Sequence, residues 1–132
     1  MKTTTITNLP NPSLDKDIYE GIDLTYLKSI SEGSKEFEKE MLQALITNMD
    51  SKVEILSAYV LEKNANSICM QAHSLKTLSN IMGITALYEQ FRDMELKHAE
   101  NEYTSDTEQE FAEAEATWQQ ARLQVIKIIE TY

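Results

Sequence analysis

From about Asn66 to Gly83 an apolar or small side chain recurs every three or four residues. Ile68, Ala72, Leu75, Ser79 and Met82 share one side of the helix that this spacing predicts. Cys69, His73, Lys76 and Asn80 stand at i, i+4, i+7 and i+11 and make a second stripe about 100° round from the first. That stripe is polar and small-chained, with an imidazole at its middle and an ammonium one turn on. A helix held by its apolar side presents such an imidazole to whatever approaches.

The same period recurs along the chain. Upstream, Pro10 and Pro12 interrupt a threonine- and asparagine-rich start, so residues 1–20 read as a flexible lead-in and 21–132 as the folded unit. A short helix is expected from Asp23, acting as cap, to about Ser31, with Leu24, Leu27 and Ile30 inward. Gly33 breaks that pattern, and Ser34 caps a long helix to about Lys63. Its stripe opens with Phe37, Met41 and Leu45 and continues through Leu56 and Val60. Residues 64–67 make the turn into the histidine helix. After Gly83, Thr85 is expected to cap a helix to about Glu100 with Leu87, Phe91 and Met94 inside. Ser105-Asp106-Thr107-Glu108 has the form of a capping box, and the last helix carries Phe111, Ala114, Trp118, Ala121, Val125, Ile128 and Tyr132 on one stripe. Four substantial helices with short connections predict an all-α fold, an antiparallel up-and-down four-helix bundle with a short extra N-terminal helix. Trp118, Phe111, Phe91 and Phe37 are its expected large core side chains.

Composition narrows the function. The 132 residues suit one domain, and 42% hydrophobic residues suffice for a core. A net charge of −10 repels phosphate backbones and anionic head groups, which speaks against nucleic acid and membrane surfaces as partners. Cys69 is the single cysteine, so neither an intrachain disulfide nor a metal-binding cysteine pair can form. No apolar run approaches the ~18–20 residues of a membrane span. The start lacks the apolar core of a signal peptide, so a cytoplasmic location is expected. Gly21, Gly33 and Gly83 are isolated, which leaves no glycine-rich phosphate loop and no ATP site.

His73 is the sharpest chemical signal. An imidazole serves as base, metal ligand or phosphoryl acceptor, and titrates near neutrality. As an acceptor it needs a fixed ring and an exposed nitrogen. Lys76, at i+3, lies within reach of a phosphoryl group on that nitrogen. Spacing alone equally admits a surface histidine beside a surface lysine. Cys69 and His73, with His98 as a third ligand, make a poor metal pattern, and no metal is expected. His98 is expected instead to act as a cation at the C-terminus of its helix.

Ala72-His73-Ser74-Leu75-Lys76, followed by Gly83 ten residues after the histidine, resembles the signature of histidine-containing phosphotransfer (HPt) domains of multistep two-component phosphorelays. Met94-Glu95 stands where a leucine–glutamate pair is usual. Gly21-Ile22-Asp23-Leu24 and the helix beginning near Phe37 are similar to the family's lead-in. The likeness covers about residues 20–130, and its specific part is about 25 residues long. The resemblance implies that His73 accepts a phosphoryl group from a receiver-domain aspartate and passes it to another receiver. Lys76 would favour the charged phosphoryl, and Gly83 would close the histidine helix. The implied partners are receiver domains of response regulators or hybrid histidine kinases, with Mg²⁺ on the receiver and no cofactor on this chain; a monomer is expected. Cys69, Met70, Thr77, Asn80 and Ile81 are candidates for the docking surface, joined by Met41, Leu42 and Leu45 from the preceding helix. Thr77 departs from the family, where glycine commonly follows the lysine, and this bears on the range of partners. The competing reading is a non-catalytic helical adaptor that binds a signalling partner without phosphotransfer.

Overall fold

The computed structural model describes residues 18, 19 and 21–132, and the rest of the expected lead-in lies outside the described residues. A small hairpin comes first, spanning the expected boundary between lead-in and bundle: β1 (Ile18–Tyr19) pairs antiparallel with β2 (Ile22–Asp23). Five helices follow among the described residues: α1 (Thr25–Ser31), α2 (Lys35–Leu61), α3 (Ala65–Ile81), α4 (Thr85–Lys97) and α5 (Thr107–Glu130). α2 packs on α3, α3 on α4 and α4 on α5, while α5 returns to α2 and closes the ring. Short connections make chain neighbours antiparallel, and α1 lies against α2, so the all-α bundle with a short extra helix is the observed architecture.

The α3 and α4 stripes are buried as their spacing predicts, and so is that of α5 as far as Ile128, while Tyr132 lies beyond the helix and is only half-buried. Ile68, Ala72, Leu75, Ser79 and Met82 are fully enclosed, as are Leu87, Phe91 and Trp118. α2 differs by one position. Its buried line is Glu38, Leu42, Leu45, Met49, Val53, Leu56 and Val60, whereas Phe37 is 44% exposed and Met41 only half-buried. The cause is Glu38, whose charge disqualifies it from a core position until its partners are placed. Ser31 Oγ donates to Glu38 Oε2 at 2.5 Å and the Tyr132 hydroxyl to Oε1 at 3.0 Å, so the buried carboxylate is satisfied from both sides. Leu42 and Leu45 are therefore core and not docking residues. Ile30, expected inward on α1, is likewise exposed.

Three caps also depart from expectation: α1 begins after Leu24, and Asp23, one residue earlier, accepts from Thr25 N–H through Oδ1 at 2.9 Å. α4 begins after Ile84 with no side-chain cap, so Thr85 lies inside its first turn. The box at residues 105–108 does not form, because α5 starts at Thr107 after Asp106. Thr107 is wholly buried, its hydroxyl 2.8 Å from His98 Nε2 and 3.0 Å from Thr104 Oγ1. His98, expected as a surface cation, is enclosed too, and its Nδ1–H donates to the Met94 carbonyl at 2.7 Å. It ties the end of α4 to the start of α5.

Gly83 ends α3 with φ +69°. Its N–H donates to the Asn80 carbonyl and that of Ile84 to the Ser79 carbonyl, the paired bonds of a Schellman turn. Its own carbonyl accepts from Asp23 N–H at 2.9 Å, and a Cβ here would lie 1.6 Å from the Asp23 carbonyl oxygen. The glycine thus closes the helix and lets the N-terminal hairpin seat against it.

Candidate functional site

α3 is fixed at both ends and along one side. Asn64 caps it by accepting from Ser67 N–H at 3.1 Å, and the Gly83 turn stops it. The Ser79 hydroxyl, buried in the stripe, donates to the Leu75 carbonyl at 2.8 Å. His73 sits at the midpoint of this 17-residue helix, where fraying from either end is least.

With Ala72 and Leu75 pinned inward, His73 turns toward α4. Its side chain is 61% exposed, and Nδ1 lies 2.7 Å from Glu95 Oε2. Lys76 Nζ lies 2.7 Å from the other oxygen, Oε1, so one carboxylate bridges imidazole and ammonium. Burial pushes the Glu95 carboxyl pKa up, but the hydrogen bonds and charges of Lys76 and His73 outweigh this and hold it below its ordinary value. An ionised carboxylate can only accept, so Nδ1 carries the proton of that hydrogen bond, and in the neutral ring Nε2 then keeps its lone pair. Among the described residues Nε2 has no protein partner.

The neighbouring positions differ in what they offer. Cys69 is half-buried, and its Sγ donates to the Glu95 carbonyl at 3.4 Å. Burial, with Glu95 close by, pushes its thiol pKa up, away from a reactive thiolate. The Thr77 hydroxyl donates to the His73 carbonyl at 3.1 Å, which turns its methyl group away from that bond. Met70, Thr77 and Asn80 are exposed, whereas Ile81 is half-buried against the core. On the opposite flank of α3, Gln71 Nε2 donates to the Lys52 carbonyl of α2 at 3.0 Å, so the histidine side of α3 belongs to α4 and not to the long helix.

Cys69, His73 and His98 are not brought together, since both nitrogens of His98 are engaged at the α4–α5 junction. Among the described residues no three His, Cys, Asp or Glu side chains group as a metal site. No described helix is long and apolar enough to cross a membrane. Sequence reasoning missed Glu95 as a member of the site. The signal was available: Met94 on the buried stripe places Glu95 about 100° round, on the side facing α3.

No model of a known protein family matches the chain, and no curated protein matches it either. The fold does have a solved counterpart, the crystal structure of histidine-containing phosphotransfer protein B from Pseudomonas aeruginosa PAO1. The two align with a TM-score of 0.77 over 85% of this chain and 96% of that one, at 19% sequence identity. What they share is the fold, an HPt-like helical bundle.

Proposed function

We propose that the protein is a phosphorelay intermediate, accepting a phosphoryl group on His73 Nε2 from a receiver-domain aspartate and returning it to a second receiver. The observation that carries the reading is the exposed imidazole whose Nδ1 is held by Glu95, which also binds Lys76. The HPt-like fold is its support at the level of the whole chain. An aspartyl phosphate is already activated, so the chain supplies orientation and charge. Nε2 attacks phosphorus in line; the P–N bond forms as the P–O bond breaks, and the carboxylate of the donor leaves with that electron pair. The imidazole becomes cationic as it takes the phosphoryl, and the Glu95 carboxylate at Nδ1–H balances that charge. Lys76, three residues on and already beside Glu95, offsets the anionic phosphoryl oxygens. A divalent cation, if the donor requires one, belongs to the receiver.

The test is transfer of label from a panel of purified, phosphorylated receiver domains. Wild-type protein is expected to gain acid-labile, alkali-stable phosphate, and His73→Gln none. Label on His73→Gln at the wild-type rate overturns the site assignment. Binding to a receiver with no transfer of label to this chain gives the adaptor reading instead.

A further inference from the structure

Two long apolar side chains stand in solvent on either side of the His73–Glu95 pair. Met70, one turn before the histidine on α3, is 66% exposed, and Leu96, beside the glutamate on α4, is 65% exposed. The charge around them is lopsided. Between Lys63 and Tyr88, which includes all of α3, the chain has no carboxylate. Between Glu89 and Glu115 it has ten carboxylates against two cationic side chains. On α4, Glu89, Asp93 and Leu96 stand at i, i+4 and i+7 and are all exposed, so they make one outer line. Arg92 takes up part of this charge, with its guanidinium 3.3 Å from Asp93 Oδ1 and over the Tyr88 ring. Among the described residues Glu89 forms no ion pair.

Because Glu95 of α4 holds Nδ1 of His73, a protein that covers this pair lies over both α3 and α4. One part of it then covers a helix free of carboxylates, and the other crosses the acidic line. We propose that this face selects receivers by charge: the partner is apolar where it meets Met70 and Leu96, and carries lysine or arginine where it covers Glu89 and Asp93. The placement of the partner rests on the phosphotransfer reading of His73; its charge rests on the surface. An acidic rim at that position is repelled, and a basic one is steered in before contact.

Association rates with two sets of purified receiver domains test this. One set carries Lys or Arg, the other Asp or Glu, on the loops around the phosphorylated aspartate. The double variant Glu89→Lys, Asp93→Lys is compared with Glu40→Lys, Glu54→Lys, which makes the same change in net charge at exposed positions on α2. At low ionic strength the α4 variant is expected to bind the basic set about tenfold or more slowly, and the difference to shrink as added salt shortens the screening length from ~20 to ~8 Å. The α2 variant is expected to match wild type within about twofold. Equal loss in both variants, no loss in the α4 variant, or binding of neither set by wild type overturns the proposal. Charge-dependent binding without any label on His73 leaves this inference standing and overturns the transfer reading alone.

Discussion

Glu95 Oε2 and Oε1 reach His73 Nδ1 and Lys76 Nζ at 2.7 Å each, so removing this one side chain releases both. Free imidazole in water favours the proton on Nε2, which would block that nitrogen as a nucleophile. Glu95→Ala is therefore expected to shift His73 toward the Nε2–H tautomer, read directly from its ring ¹⁵N shifts. Single-turnover transfer should slow about tenfold, the worth of one hydrogen bond to a charged group. Glu95→Gln keeps an acceptor for Nδ1–H and should restore the tautomer while leaving Lys76 unpaired. Unchanged ¹⁵N shifts in Glu95→Ala would show that the carboxylate does not set the tautomer. The bridge also has a pH dependence. Because the Glu95 pKa is lowered from 4.5, its contribution is complete above that value and is lost as pH falls through the lower folded-state one. A carboxyl ¹³C titration of Glu95 should accordingly have its midpoint below 4.5.

Glycines ending two of the helices separate backbone strain from close approach. Gly83 has φ +69° and Asp23 backbone in the path of a Cβ, whereas Gly33 has φ +86° and open space. Gly33→Ala is expected to cost about 1 kcal/mol, the strain alone. Gly83→Ala should cost at least about 2–3 kcal/mol more, because the hairpin has to leave its seat, and equilibrium urea unfolding of the two variants checks the difference. At the α4–α5 junction, Thr107→Val would leave buried His98 Nε2 without its partner, at about 1–3 kcal/mol, while Thr107→Ser keeps the hydroxyl and most of the stability. These junctions also mark how far the sequence could be read. The stripes of α3, α4 and α5 were legible because each is a run of hydrophobic or small residues, without a charge, at helical spacing. Only the opening turns of α2 were not, because Glu38 belongs inside only once Ser31 and Tyr132 have been brought to it from 7 and 94 residues away, whereas Leu45, Leu56 and Val60 are buried as expected. Caps failed for the same reason: Thr107 looks like part of a capping box until buried His98 claims its hydroxyl. Within the site, His73 and Lys76 share one helix, so their proximity could be read from spacing, while the role expected of them came from the resemblance. Glu95 comes from another helix, and only the α3–α4 packing gives it its role.

The carboxylate excess of α4 and the start of α5 is a load on the fold as a whole. Lys97 binds Asp106 and Glu110, and Arg92 binds Asp93, but most of the ten carboxylates between Glu89 and Glu115 have no such partner among the described residues. They lie on α4, on the connection that follows it and on the first turns of α5, and the two helices pack against each other, so unfolding lets the charges separate. Added salt acts on this in two opposed ways. It screens repulsion among the unpaired carboxylates, and it weakens the attraction in exposed pairs such as Lys97–Asp106. With a net charge of −10 and exposed pairs contributing little individually, screening of repulsion should win. Raising NaCl from about 20 to about 500 mM is therefore expected to raise Tm by about 3–5 °C, corresponding to roughly 1 kcal/mol for a domain of this size. The gain should shrink in Glu89→Lys, Asp93→Lys, where part of the repulsion is already relieved. A Tm that falls with NaCl would mean that the ion pairs outweigh the unpaired carboxylates.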